Sequence, residues 1–182
     1  MQCLSETDRK NILDLARQAV VEAVCRGRLP DNLPKTGVFE ERCGVFVTLH
    51  VGKRLRGCIG VIESKDPLGE SIVRCAASAA LEDPRFNPMQ PEELQDLELE
   101  VSLLSPLQQI QPEEIEIGKH GLLVEQGFRR GLLLPQVAVE HHLERVQFLR
   151  ETCYKAGLAA DAWKAPATRI YGFTCEIVGE EK

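Results

Sequence analysis

No run of apolar residues in this sequence approaches the roughly 18–20 needed to cross a bilayer, so no membrane span is expected. The stretch Met1 to Arg9 has no basic segment leading into an apolar one, so no secretory signal is expected either. Among seven cysteines, Cys3, Cys25, Cys43, Cys58, Cys75, Cys153 and Cys175, no two stand at C-x-x-C spacing. Structural zinc sites and dithiol sites usually carry that spacing. Positive charge is not in excess. There are 22 lysines and arginines against 28 acids, a formal net charge of −6. Broad nucleic-acid binding needs a basic face and is not expected, although a local basic patch stays open. The phosphate-loop, dinucleotide, zinc-protease and nucleophile-elbow signatures (G-x-x-x-x-G-K-[ST], G-x-G-x-x-G, H-E-x-x-H, G-x-S-x-G) are all missing.

What is present is ordinary for a globular chain. Its 182 residues are 43% hydrophobic and 27% charged, which argues against disorder and against a collagen-like or coiled-coil rod. At about 150 residues per domain this is one domain or two small ones. The odd, scattered cysteines read as mostly buried free thiols in a reducing cytoplasm.

Ser5 and Asp8 form a box-like start to a first helix, and Ile12, Leu15, Ala16, Ala19, Val20, Ala23 and Val24 give it one apolar face. Gly27 stops it. Gly44–Val51 and Leu55–Ile62 read as a hairpin around Gly52-Lys53-Arg54. A three-residue loop pairs Val51 with Leu55, Leu49 with Gly57 and Val47 with Ile59, keeping apolar with apolar. It sets His50 across from Arg56, and Thr48 across from Cys58. Pro67–Leu81 reads as a second helix and Leu97–Leu103 as a half-exposed strand. A second hairpin joins Gly121–Val124 to Gly131–Leu134. Val137–Ala156 reads as one helix, and Arg169–Val178 as a closing strand. The order predicts an α+β fold with a mixed, mostly antiparallel sheet and packed helices.

Chemistry concentrates first in Arg54-Leu55-Arg56-Gly57-Cys58-Ile59-Gly60. Alternation puts Arg54, Arg56 and Cys58 on one face, where two guanidiniums favour a thiolate. Gly57 and Gly60 clear space beside the sulfur for a ligand or a backbone. The plainer reading is a small thiol in a crowded core, with glycines demanded by packing. The second cluster is the proline-stiffened loop Asp83-Pro84-Arg85-Phe86-Asn87-Pro88, which either positions a ligand or pairs Asp83 with Arg85 and anchors Phe86. The third is Gly118-Lys119-His120-Gly121 with Leu134-Pro135-Gln136. His120 is a candidate base, although a lone histidine is more often structural. His141 and His142 adjoin on a helix and make a poor metal pair. Glu140 and Glu144 read as a solvated acidic face.

Leu55-Arg56-Gly57-Cys58-Ile59-Gly60, Asp83-Pro84-Arg85-Phe86 and Glu100-Val101-Ser102-Leu103-Leu104-Ser105 resemble motifs of the AMMECR domain family. Gly118-Lys119-His120-Gly121-Leu122, Leu133-Leu134-Pro135-Gln136-Val137 and Cys153-Tyr154-Lys155-Ala156-Gly157-Leu158, with Trp163, continue the match in order. The resemblance spans roughly Ile12 to Glu180. It departs at His141-His142-Leu143, where the family carries an aromatic, often tryptophan. It implies two closely associated lobes: residues 1–106 with 168–182 as the larger, and 107–167 as the smaller. Arg56, Cys58 and Arg85 would then line the cleft between them. It also implies kinship with the A component of the AmmeMemoRadiSam system, which accompanies a Memo-like protein, similar in fold to extradiol dioxygenases, and a radical SAM protein.

Two functional expectations follow. In one, Cys58 is a reactive thiol, Arg56 lowers its pKa, Arg85 holds a small anionic substrate, and His50 or His120 moves protons. In the other, favoured here, the chain is a non-catalytic module of a multi-protein redox or modification system. It docks on a Memo-like or radical SAM partner. Gly57, Gly60, Asp83, Arg85, Phe86 and Gln136 are the expected binding residues. No cofactor or metal site of its own is expected from scattered cysteines, though folding could gather Cys58, Cys43 and a histidine.

Overall fold

The structure, a computed structural model, describes residues 4–180. Met1 and Cys3, which enter the signal and cysteine readings, lie outside the described residues. The first helix, α1 (Glu6–Arg26), begins as its sequence dictates. The Asp8 N–H reaches the Ser5 hydroxyl at 3.1 Å, and the Asp8 carboxylate takes the Ser5 N–H at 3.1 Å. It ends on Gly27, whose φ of 62° is the left-handed turn that favours glycine.

Four strands form the first sheet: β1 (Gly44–Val51), β2 (Arg54–Val61), β3 (Leu97–Leu104) and β8 (Cys175–Gly179), in the order β2-β1-β3-β8. Val45, Val47 and Leu49 of β1 join Leu99, Val101 and Leu103 of β3 on one face. Helix α1 and the second helix α2 (Leu68–Leu81) cover that face, with Ile12, Val20, Leu68 and Ile72 fully buried. The fold is α+β: helices with two antiparallel sheets.

The first hairpin has the expected register in its body and a different tip. Val47 pairs with Ile59, Thr48 with Cys58 and Leu49 with Gly57. His50 then pairs with Leu55, not Arg56, and Val51 pairs with Arg54. The turn is the two residues Gly52 and Lys53, both at positive φ (55° and 66°). Arg56 is the extra residue of a bulge. The tight turn suits the strand twist, the body register suits the core, and the bulge reconciles them.

The described residues divide into two units, and the boundaries differ from those expected. One runs to Leu104 and resumes at Glu176, and the other spans Ser105–Cys175. The second holds β4 (Gln108–Gln109), β5 (Gly121–Gln126), β6 (Arg129–Leu133) and β7 (Arg169–Phe173), in the order β4-β7-β5-β6. The single closing strand of the sequence reading is thus two strands in two sheets. Thr174 separates them because its N–H donates to the Ser105 hydroxyl and its carbonyl accepts the Ser105 N–H, each at 2.9 Å. Residues 169–173 therefore pair with β5 and β4 and not with the first sheet.

The expected helix Val137–Ala156 is also two: α3 (Pro135–Glu140) and α4 (Arg145–Lys155). His142 has a φ of 51°, which ends the first helical segment. The Leu143 N–H turns back to the Ala138 carbonyl at 2.8 Å. Glu140 and Glu144 are both exposed, as expected, but they share no helix: Glu140 ends α3 and Glu144 caps α4 in a box with Gln147. Leu122, Val124, Phe148, Leu149 and Cys153 make this unit's core. Among the described residues no helix is long and apolar enough to cross a membrane.

Candidate functional site

β2 is an outer strand of its sheet, so one side of its backbone lacks a neighbouring strand. At Cys58 the loop after α2 supplies the missing partners. The Cys58 N–H donates to Asp83 Oδ2 at 2.9 Å, and the Arg85 Nη2 donates to the Cys58 carbonyl at 3.3 Å. The Phe86 N–H, bonded to the Asp83 carbonyl at 3.1 Å, closes the turn that brings both side chains round.

Asp83 is 4% exposed and accepts from several donors. Besides the Cys58 N–H these are the Arg85 N–H at 3.1 Å, Nε at 2.9 Å and Nη2 at 2.6 Å. The Arg85 guanidinium is the main reason its carboxyl sits far below the usual range; burial opposes and the two main-chain N–H groups assist. Asp83 in turn pushes the Arg85 pKa up.

Arg56 is committed in the same manner. Its Nε meets Glu93 Oε1 at 2.6 Å and its Nη2 meets Oε2 at 3.0 Å. That bond, against burial, lowers the Glu93 pKa, and the Gln90 N–H adds to it at 2.8 Å. The Phe86 ring lies by both cations, 5.9 Å from the Arg56 guanidinium carbon and 5.4 Å from that of Arg85.

The Cys58 sulfur is half-buried and accepts the Thr48 hydroxyl at 3.3 Å across the strand pair. The space left by the neighbouring glycines is filled by the chain itself. A methyl group on Gly57 would overlap the Ala79 carbonyl of α2, and one on Gly60 would overlap the Phe46 ring. Arg54 is exposed at the hairpin tip, and the bulge at Arg56 interrupts the alternation expected to join it to Cys58.

Arg56, Cys58, Asp83, Arg85 and Phe86 therefore gather in the first unit. His50 is in the same sheet, opposite Leu55 and Glu98. His120 and Gln136 belong to the second unit. There, His120 Nδ1 accepts the Glu116 N–H at 3.1 Å, a loop-holding bond. Gln136 stands at the start of α3 with its Oε1 buried and without a hydrogen-bond partner. Glu93 is the participant that sequence reasoning missed. Its capping box with Gln90 is readable locally, but its pairing with a residue 37 positions away is not.

Cys25, Cys43, Cys58, Cys75 and Cys153 are free thiols, and among the described cysteines only Cys75 and Cys153 are buried, fewer than expected. Burial pushes the Cys43 and Cys75 thiols each up to about 11. No group of three or more His, Cys, Asp or Glu side chains among the described residues could hold a metal ion. Cys58, Cys43 and a histidine are thus not gathered.

Comparison with known proteins covers nearly the whole chain. The AMMECR1 family model matches residues 13–178. A protein of Methanothermobacter thermautotrophicus is 45% identical over 98% of this chain and 97% of its own length. Protein TK0174 of Thermococcus kodakarensis is 44% identical over 93% of this chain and 89% of its own. The crystal structure of PH0010 from Pyrococcus horikoshii is similar with a TM-score of 0.91 at 40% identity, covering 98% of this chain and 94% of that one.

Proposed function

The chain belongs to the AMMECR1 family, and on that premise we propose that it is a small cytoplasmic component of a multi-protein redox or modification system. It docks on Memo-like and radical SAM proteins and does not turn over a substrate itself. One observation carries this reading. Both guanidiniums near the Cys58 thiol are already neutralised, Arg56 by Glu93 and Arg85 by Asp83. A guanidinium held in a bidentate carboxylate pair has little charge left to activate a thiol or to seize an anionic substrate. The same pairs hold two cations over the Phe86 ring, an arrangement suited to protein contact. Nucleic acid and membrane are not partners in this reading.

The test is calorimetric titration of the purified chain against a Memo-like and a radical SAM protein. Saturable binding is expected to at least one, weakened by Phe86→Ala with the fold intact. Absence of saturable binding to both would overturn the proposal. A second reading, an enzyme in which Cys58 acts on a small anionic substrate, draws on the half-exposed sulfur beside the Thr48 hydroxyl. Alkylation of Cys58 much faster than in the denatured chain would favour it.

A further inference from the structure

Alternation along β1 and β3 sends every second side chain of the first sheet away from α1 and α2. The register sets these side chains in rows across three strands. Leu55, His50 and Glu98 form one row, and Cys58, Thr48 and Glu100 the next. Gly60, Phe46 and Ser102 form the third. Exposure falls along the rows. Leu55 is 41% exposed at the hairpin end, the middle row is half-buried, and Ser102 is 1% exposed. The face is therefore recessed towards Ser102.

Three polar groups on this face are unmatched. Glu98 and Glu100 are half-buried, and neither carboxylate has a hydrogen bond or ion pair among the described residues. By contrast Glu93, Glu176 and Glu180, also half-buried, each hold an arginine. The Ser102 hydroxyl is buried on the same face with no hydrogen-bond partner. The next strand leaves room. The Glu180 N–H meets the Leu99 carbonyl at 3.3 Å, which sets Gly179 of β8 beside Glu100, and a methyl group on Gly179 would meet nothing within 4 Å. Ser105–Cys175 holds eight acids and eight bases, so the chain's whole excess of six acids lies in the first unit.

We infer that this face binds a small organic cation that carries a guanidinium group. Its lining is rich in acceptors. The two carboxylates accept only, and the Thr48 hydroxyl has given its proton to Cys58 and keeps its lone pairs. His50 offers one ring nitrogen of each kind. A guanidinium is the complement: five N–H donors, no acceptor and a fixed charge. Glu98 and Glu100 stand two residues apart on one strand, about 7 Å, a span that a planar fork with donors on opposite sides bridges. The Ser102 hydroxyl, costly to leave unmatched, gains a partner in the same step. An ammonium fits less well, being a compact and strongly hydrated point charge. A metal ion fits less well too, because no three of the His, Cys, Asp and Glu side chains among the described residues converge. The inference stands apart from docking through Phe86, and either can fail alone.

Agmatine titrated into the full chain, followed in its amide NMR spectrum, tests this. Expected are saturable shifts centred on Thr48, Cys58, Glu98, Glu100 and Ser102, and a loss of affinity of about tenfold or more in Glu100→Gln with unchanged circular dichroism. Glu98→Gln repeats the test at the neighbouring carboxylate if Glu100→Gln does not fold. Ser102→Ala should bind agmatine more weakly yet unfold no more readily than wild type, because a buried hydroxyl without a partner adds nothing to the fold. No saturable shift at about 5 mM agmatine, or a folded carboxylate variant that binds as tightly as wild type, overturns the inference. Equal shifts from potassium chloride at matched ionic strength overturn it as an adventitious ion only. A blocked Gly-Arg-Gly peptide that binds more tightly than agmatine overturns the small-molecule assignment in favour of an arginine side chain of a partner protein.

Discussion

The carboxylate of Asp83 accepts the main-chain N–H of Cys58 at 2.9 Å, so a loop side chain closes the open edge of a β-sheet. The motif around the thiol and the motif of the proline-rich loop are thus one structural unit. Each half supplies what the other needs: the strand offers an unpaired N–H and carbonyl, and the loop offers a carboxylate and a guanidinium.

Replacing Asp83 should therefore cost more than a surface ion pair does. Asp83→Ala leaves two main-chain N–H groups and the Arg85 guanidinium without their acceptor, and should destabilise the chain by about 2–4 kcal/mol. Urea midpoints at pH 7 measure it. The pH dependence has a definite sign. The folded pKa of Asp83 is depressed, so its contribution is full above the unfolded carboxylate value of about 3.9. It begins to fall as the pH drops below that value and is lost once the pH passes the folded pKa. The gap between wild type and Asp83→Ala should be constant from pH 7 to about 5 and narrow below about 4. A gap that does not change down to pH 2 would contradict this.

Gly57 and Gly179 separate packing from simple glycine content. A methyl group at Gly57 would meet the main chain of Ala79, which has no rotamer to yield, while one at Gly179 meets nothing within 4 Å. Gly57→Ala should lower stability by about 1–3 kcal/mol. Gly179→Ala should stay within about 0.5 kcal/mol of wild type. Denaturant curves with unchanged slope would make the comparison valid.

Cysteine labelling should follow burial. With iodoacetamide at pH 7 and peptide mass spectrometry, the exposed Cys25 should react first. Cys43 and Cys75, both pushed up to about 11 by burial, should lag far behind their rates in the denatured chain. On the docking reading Cys58 reacts no faster than it does in the denatured chain. A Cys58 that outpaces Cys25 would move the thiol to the centre of the function.

The elements that alternate or repeat cleanly were legible in the sequence. Ser5, Asp8 and Gly27 bound α1 through local hydrogen bonds, and Val47 and Leu49 find Ile59 and Gly57 because a slip would turn the core face outward. The breaks were not legible. His142 adopts a left-handed backbone without being glycine or asparagine, so nothing announces the end of α3. Thr174 breaks the closing strand through Ser105, a partner 69 positions away. The candidate site was half legible. Arg56, Cys58, Asp83, Arg85 and Phe86 stood out by type and spacing. The bond that unites them runs to a main-chain N–H, which no residue pattern records.

Lys53 offers the last test, because the turn it occupies is at odds with its side chain. Its φ of 66° costs an L-residue about 1–2 kcal/mol, while glycine adopts it freely. Lys53→Gly removes that strain and adds about 0.5–1 kcal/mol of unfolded-chain entropy, so a net gain of about 0.5–1 kcal/mol is expected in the urea midpoint. The register beyond the bulge should not change, because Leu49 opposite Gly57 is fixed by the packing of α2 and not by the turn. Deleting Arg56 tests the bulge from the other side. It removes the extra residue and leaves the ladder in register: with Val51 opposite Arg54 and His50 opposite Leu55, Leu49 still meets Gly57 and Thr48 still meets Cys58. The deletion also removes the Arg56–Glu93 pair, so it should unfold cooperatively at a cost of about 1–3 kcal/mol in the urea midpoint. Loss of cooperative unfolding, beside a stabilised Lys53→Gly, would show instead that the hairpin needs the bulge to hold its register.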